Sequence, residues 1–176
     1  MRYFLDTEFI ERGYEDKIQL VSIGIVAEDG RKYYAIASDG WEARPTDWVW
    51  DNVLPHLGDG RRLSRAQIAQ EVFFFCNAGF PPYPEFWGYY CDYDWVLFCG
   101  LFGRMVDLPK KWPMYCNDVK QLAHMLGNPR LPKQTTEEHN ALADAEDIKA
   151  KFEFLTQVDV VEAVRALRHT LGSPQP

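Results

Sequence analysis

The sequence lacks long apolar runs and paired cysteines. Its apolar stretches are far shorter than the roughly 20 residues that a membrane-spanning helix needs. Its four cysteines, Cys76, Cys91, Cys99 and Cys116, form no CxxC pair and have no histidine at zinc-finger spacing. We therefore expect reduced thiols in a cytoplasmic protein without a membrane segment.

Positive charge is also scarce. The formal net charge is -7 and the pI is about 5.1. This balance argues against a protein that coats long duplexes, because such binding replaces counterions with lysine and arginine. Nucleic acid is still allowed as a substrate, since an acidic site that holds metal ions supplies its own positive charge.

The composition and the order of elements predict one α/β domain. Apolar residues make up 47% and aromatic residues 15% of the 176 residues, which is enough for one hydrophobic core. We expect this domain to cover residues 1–170 and a loose tail to cover residues 171–176.

The first part of the chain reads as an antiparallel meander of three strands, with Asp29-Gly30 as a hairpin turn. A fourth strand is expected over residues 85–90. Helices are predicted over residues 46–53, 64–75, 92–102, 117–126, 140–155 and 159–169. Strands followed by alternating strands and helices favour a mixed sheet that helices cover.

Two acids, Asp6 and Glu8, interrupt the apolar first strand. Alternation along a strand places both on one face, while Thr7 points to the other. Acids on an exposed edge strand are commonly plain surface. An apolar strand is expected to be central, however, and a pair of like charges is costly there unless something positive lies between them.

A third acid stands where the fourth strand passes into a helix. Asp94 lies in the segment CDYDWVLF. Alone it is weak evidence for a site, because aspartate at a helix start is also a common N-cap. Asp92, two residues earlier, could serve the same purpose.

The segment HNALADA carries His139 and Asp144, which are five residues apart. On one continuous helix they would diverge by about 140 degrees at 3.6 residues per turn. If Asn140 caps the helix instead, His139 lies in the preceding loop and can reach a site to which Asp144 also points. Taken singly, a loop histidine and an acid near a helix N-terminus have simpler explanations.

Together these motifs resemble the DEDDh 3'-5' exonucleases, whose fold is the ribonuclease H-like mixed sheet. The matching residues, in the order of that family, are Asp6, Glu8, Asp94, His139 and Asp144. The segments MRYFLDTEFIE, LVSIGIVAEDGRKYYA, YDWVLFCGLFG and HNALADA are similar to the polyadenylate-specific 3'-exoribonucleases of the AS type. This similarity covers residues 1 to about 155 and is weakest over residues 41–85.

The resemblance implies a metal-dependent enzyme that hydrolyses single-stranded RNA from its 3' end to nucleoside 5'-monophosphates, with a preference for poly(A) or adenosine-rich RNA. It implies two Mg²⁺ or Mn²⁺ ions about 4 Å apart. By analogy, Asp6 would bridge both ions, Glu8 and Asp144 would complete the first site, and Asp94 would support the second through water. His139 would be the general base. Family members similar to this chain form homodimers.

Thr7 and Phe9 follow the acids and are candidate substrate contacts, Phe9 by stacking on a base and Thr7 through its backbone amide. Core packing is the alternative for Phe9. The same two readings apply to the aromatic residues near Asp94, which are Trp87, Tyr89, Tyr90 and Trp95.

Three other functions compete with this one. A single-strand DNA exonuclease would use the same acids, and the 2'-hydroxyl contact that separates RNA from DNA is not evident in the sequence. A catalytically silent binding module would be expected to lack one of the five motif residues, and all five are present. A phosphatase is disfavoured by the absence of a DxDxT signature and a phosphate-binding glycine-rich loop.

Overall fold

The computed structural model describes residues 1–13, 15–41, 45–135 and 138–171, with side chains up to residue 157. The strands in these ranges are β1 (Arg2–Ile10), β2 (Gln19–Ala27), β3 (Lys32–Ala37), β4 (Arg62–Leu63), β5 (Glu85–Gly88) and β6 (Asn117–Asp118). They form one sheet in the order β4-β3-β2-β1-β5-β6. The first three strands are antiparallel and β5 runs parallel to β1, which confirms the predicted mixed sheet.

The helices of the described ranges are α1 (Asp47–Asn52), α2 (Arg65–Phe75), α3 (Asp92–Phe102), α4 (Val119–Met125) and α5 (Ala141–Leu171). Their starts follow from capping side chains. Ser64 and Gln67 form the predicted capping box of α2, in which each side chain bonds the other residue's backbone N–H. Asp118 accepts hydrogen bonds from two backbone N–H groups of α4, so that helix begins at Val119.

Strand β1 lies in the middle of the sheet and contributes to the core on both faces. Phe4 packs against residues of α4 and α5 such as Phe152. Its neighbours Tyr3 and Leu5 point the other way and pack with residues of α2 and α3. A strand held on both edges and both faces has little freedom to move, which makes β1 a rigid support for its two acids.

Three details differ from the sequence-based prediction. Strands β4 and β6 were not predicted, because each has only two residues and shows no alternation. The strand expected over residues 85–90 ends at Gly88, and Tyr90 adopts a left-handed backbone with a φ of 55°.

The third detail concerns the end of the chain. The helices predicted over residues 140–155 and 159–169 are one helix, α5, because no glycine or proline lies between Leu155 and Asp159 to end it. Most of the predicted tail, residues 172–176, lies outside the described residues.

Two further findings concern the cysteines and the helices. Cys76, Cys91, Cys99 and Cys116 are all free thiols. No helix among the described residues combines the length and the apolar character needed to cross a bilayer.

Strand β2 and the start of α5 approach each other closely at Gly24. A Cβ atom at Gly24 would lie 2.2 Å from the carbonyl oxygen of Ala141 and 2.4 Å from the backbone nitrogen of Leu142. Both are backbone atoms, so no side-chain rotation could relieve the overlap. The absence of a side chain at Gly24 therefore allows α5 to begin directly against the sheet.

We expect Gly24→Ala to lower the free energy of unfolding by about 1–3 kcal/mol, because the added methyl group must push α5 away from β2. Urea denaturation followed by circular dichroism measures this change. Gly100→Ala is the control, because a Cβ there meets nothing within 4 Å and alanine in a helix interior should stabilise by about 0.5–1 kcal/mol. Equal stability of Gly24→Ala and the unmodified protein would contradict the close approach.

Candidate active site

Four segments of the chain meet at the carboxyl half of β1. This strand supplies Asp6 and Glu8, the first turn of α3 supplies Asp94, and the first turn of α5 supplies Asp144. His139 comes from the loop before α5. All five line one open cavity of about 290 Å³ together with Thr7, Phe9, Trp48, Tyr90 and Tyr93.

Three of the acids form a tight cluster. Carboxylate oxygens of Asp6, Glu8 and Asp144 all lie within 4.8 Å of one another. Burial, reinforced by the charges of the neighbouring carboxylates, raises the pKa of Asp6 well above its usual range. Burial and then the charge of Asp144 raise the pKa of Glu8 to about 8. The unneutralised cluster is thus electrostatically unfavourable.

Asp94 stands beside this cluster and is held by a separate pair of hydrogen bonds. Its Oδ1 accepts from the backbone N–H of Thr7 at 2.9 Å and from the Thr7 hydroxyl at 2.5 Å. Burial raises the pKa of Asp94 to about 6, against the lowering effect of the Thr7 bonds. The alternative acid, Asp92, is exposed and does not line the cavity.

The Thr7 bonds bear on the predicted substrate contact of that residue. Its backbone amide already donates to Asp94, so the observed contact of Thr7 is to another side chain of the site. Thr7 and Phe9 both line the cavity, and their contact with a nucleotide stays a prediction.

The start of α5 has the arrangement in which Asn140 is the cap. Its Oδ1 accepts from the backbone N–H groups of Leu142 and Ala143, both at 3.1 Å. His139 consequently lies outside the helix, in a left-handed conformation with a φ of 65°. Asp144 is held in place by Gln134, whose Nε2 donates to Asp144 Oδ1 at 2.5 Å.

Sequence reasoning missed two residues that contact the motif residues. Gln134 is one, and Trp48 of α1 is the other: its ring meets that of His139 edge to face, with centroids 5.0 Å apart. Trp48 is 56% exposed. A large apolar residue so exposed in a cavity was the available signal, but it requires the fold to be known.

The aromatic residues near Asp94 divide between cavity and core. Tyr90 lines the cavity, together with Tyr93, which contacts Phe9 at a centroid distance of 5.7 Å. For the remaining candidates the core alternative is confirmed. Trp87 and Tyr89 pack on the α4–α5 side of the sheet, and Trp95 packs against aromatic rings of the α2–α3 side.

The donor set of the cluster fits a hard divalent cation. Asp6, Glu8 and Asp144 offer carboxylate oxygens, which Mg²⁺ and Mn²⁺ prefer. Among the described residues that line the cavity, none is lysine or arginine. Bound cations would therefore supply the positive charge that these buried acids lack.

Known proteins are similar in sequence to this chain over most of its length. Residues 1–156 match the family described as the 3'-5' exoribonuclease Rv2179c-like domain. Two curated relatives from Mycobacterium tuberculosis, 3'-5' exoribonuclease Rv2179c of strain H37Rv and 3'-5' exoribonuclease MT2234.1 of strain CDC 1551, are each 40% identical over 162 residues. The match covers 90% of this chain and 95% of each relative.

The fold is also similar to that of a solved nuclease. E. coli exonuclease I, crystallised with a dT13 oligonucleotide, superposes with a TM-score of 0.56 at 11% sequence identity. The similarity covers 92% of this chain but 40% of exonuclease I, so the chain spans well under half of that protein. The likeness concerns the fold and confirms the expected ribonuclease H-like arrangement.

The buried acids predict a pH-dependent stability without metal. Glu8 has a pKa of about 8 in the folded protein against an ordinary value of 4.5, so the folded chain keeps a proton that the unfolded chain has lost. Stability from this group is complete below pH 4.5 and is lost as the pH rises through 8. In EDTA, the melting temperature should therefore decrease as the pH is raised from 4.5 to 8.

Thermal melting at the two pH values, with EDTA or with Mg²⁺, measures this effect. Mg²⁺ should raise the melting temperature most at the higher pH, where the acids are ionised. Glu8→Gln should flatten the EDTA profile because its side chain does not titrate. A profile that is equally steep in Glu8→Gln would assign the pH dependence to other groups.

Proposed function

Because the chain belongs to the 3'-5' exoribonuclease Rv2179c-like family, we propose that it hydrolyses single-stranded RNA from the 3' end and releases nucleoside 5'-monophosphates. The observation that carries this proposal is the cluster of Asp6, Glu8 and Asp144. Asp94 and His139 line the same cavity, so all the acids and the base of a DEDDh site are available there.

Asp6, Glu8 and Asp144 would hold Mg²⁺ or Mn²⁺ through their oxygens, and Asp94 would support a second ion. The role of Asp94 is supported by its position beside the cluster, and the two hydrogen bonds from Thr7 to its Oδ1 hold the carboxylate there. When bound, two such ions lower the pKa of a water molecule and stabilise negative charge on the phosphodiester.

His139 would accept the proton of the attacking water. Its ring lies at the cavity wall, and Trp48 packs edge-on against it, which limits the orientations of the imidazole. Asn140, the residue after His139, is held in place as the helix cap. This fixes the chain on the C-terminal side of His139. The chain thus orients the base while the acids surround the scissile phosphate.

The aromatic cavity residues support binding of the terminal nucleotide. Phe9, Trp48, Tyr90 and Tyr93 offer ring faces or edges around the acids. Stacking of a base on an aromatic ring contributes about 1–3 kcal/mol and is available to every base. A preference for adenosine-rich RNA is also part of the proposal.

We further propose that the chain forms a homodimer and that it is cytoplasmic. The four free thiols support the cytoplasmic location.

The direct test follows the shortening of RNA oligomers labelled at either end. In Mg²⁺ or Mn²⁺, a 5'-labelled oligomer should yield a ladder of shorter products, while a 3'-labelled one should release the labelled mononucleotide at once. EDTA should stop both reactions. Equal or faster cleavage of DNA would favour the single-strand DNA exonuclease, and no cleavage of either would contradict the proposed function.

Asp144→Asn and Asp94→Asn should each reduce the rate of RNA hydrolysis by about 100-fold or more, because each removes a negative oxygen needed for the ions. The matched control is Asp92→Asn, since Asp92 is an exposed acid in the same turn of α3 as Asp94. It should keep the unmodified rate. An active Asp144→Asn protein would remove Asp144 from the site.

His139→Ala should keep metal binding and lose turnover by a factor of about 100 to 10,000, the usual contribution of a general base. Metal binding is measured as the rise in melting temperature on addition of Mn²⁺, and turnover as initial rate at saturating RNA. His124→Ala is the control, because His124 is an exposed histidine on α4. Unchanged turnover of His139→Ala would rule out its role as base.

A further inference from the structure

A second cavity, larger than the first, lies beside the candidate active site. It measures about 350 Å³ and opens between α3, the start of β2 and the start of α2. Its apolar wall contains Leu20, Val96 and Leu101, and its rim carries the side chains of Lys17 and Arg65. We call this cavity the basic groove.

The basic groove and the active-site cavity are lined by neighbouring residues of the β1–β2 pair. Phe9, which lines the active site, pairs directly with Leu20 of the groove in the β1–β2 register. Both pack into the same core cluster, so their side chains share a face. The groove therefore lies on the same side of the sheet as Phe9, next to the active site.

Helix α3 forms a second link between the two cavities. Tyr93 lines the active site and contacts Phe9, whereas Val96, Leu97 and Gly100 line the groove. At 1.5 Å per residue, Tyr93 and Gly100 are about 10 Å apart along the helix axis. That length places the groove within a few nucleotides of the active site.

The charges at the rim suit phosphate groups. Lys17 and Arg65 are exposed, and neither side chain forms an ion pair within the part of the chain that the structure describes. In a chain with a net charge of -7, two such cations on one groove are a local exception. One acid, Asp16, also lines the groove and opposes them.

The wall of the groove suits the rest of a nucleotide. Val96 is 59% exposed on α3, next to the gap left by Gly100, which has no side chain. Apolar surface of this kind can pack against ribose and base faces without reading base edges, while lysine and arginine hold the backbone. The groove therefore offers contacts that do not depend on the base sequence.

We propose that the basic groove binds the RNA strand on the 5' side of the scissile phosphate, with Lys17 and Arg65 on backbone phosphates upstream of the active site. This inference rests on the proposed exoribonuclease function. It makes the enzyme sensitive to substrate length, because only oligomers that extend beyond the active site reach the two cations.

The test compares steady-state kinetics on adenosine oligomers of two and twelve nucleotides. Lys17→Ala and Arg65→Ala should each raise KM for the twelve-nucleotide RNA by about five-fold and leave both kinetic constants for the dinucleotide unchanged. The salt dependence of log(kcat/KM) for the long RNA should become shallower by about 0.7 per lost phosphate contact. Lys110→Ala, an exposed lysine outside both cavities, is the control and should change neither substrate.

Asp16→Asn tests the same groove in the opposite direction. Removal of its negative charge should lower KM for the long RNA and leave the dinucleotide unaffected. Effects that are equal for both lengths, or absent for both, would overturn the groove proposal while leaving the exoribonuclease intact. An unmodified protein that cleaves neither RNA would overturn both, so the two failures are distinguishable.

Discussion

Mutual repulsion among clustered carboxylates is the constraint on which this structure depends. Asp6, Glu8 and Asp144 bring their oxygens within 4.8 Å of one another without a basic residue among the described lining of the cavity. Such an arrangement favours protonation, and burial together with the charge of Asp144 raises the pKa of Glu8 to about 8. The fold must therefore hold the acids in place against this repulsion.

The surrounding structure resists this repulsion at each acid. Asp6 and Glu8 pair with Gly24 and Ser22 of β2, and the first half of their strand also pairs with β5, so the backbone beneath them is anchored in the sheet. Thr7, from the opposite face of the same strand, holds Asp94 with its backbone and its hydroxyl. Gln134 holds Asp144, and the missing side chain of Gly24 lets α5 carry that acid up to the sheet. The contacts around the site thereby compensate for the unfavourable electrostatic repulsion within it.

The part of this site that sequence reasoning predicted is the part encoded by local pattern. Alternation in β1 places Asp6 and Glu8 on one face, and Asn140 is recognisable as a helix cap, so both carry structural information within a few residues. Other contacts join residues that are distant in sequence, and no local pattern predicts them. They are made by Trp48, Gln134 and Gly24 to the motif residues or to their helix. The same limit explains why β4 and β6, of two residues each, were missed. Their pairing depends on where neighbouring strands lie and not on their own composition.

The chain is negatively charged overall, yet the basic groove carries local positive charge, and both can serve one mode of RNA binding. A protein of net charge -7 does not hold RNA by a general electrostatic field. In the proposed binding mode it holds a strand at two points: at the acids, through cations that they would bind, and at the exposed Lys17 and Arg65 of the basic groove. Between these points the wall is apolar and aromatic, so contacts there do not depend on phosphate charge. This division favours release once the strand becomes too short to span both points, because the remaining fragment loses the cationic contacts and keeps only those of the active site.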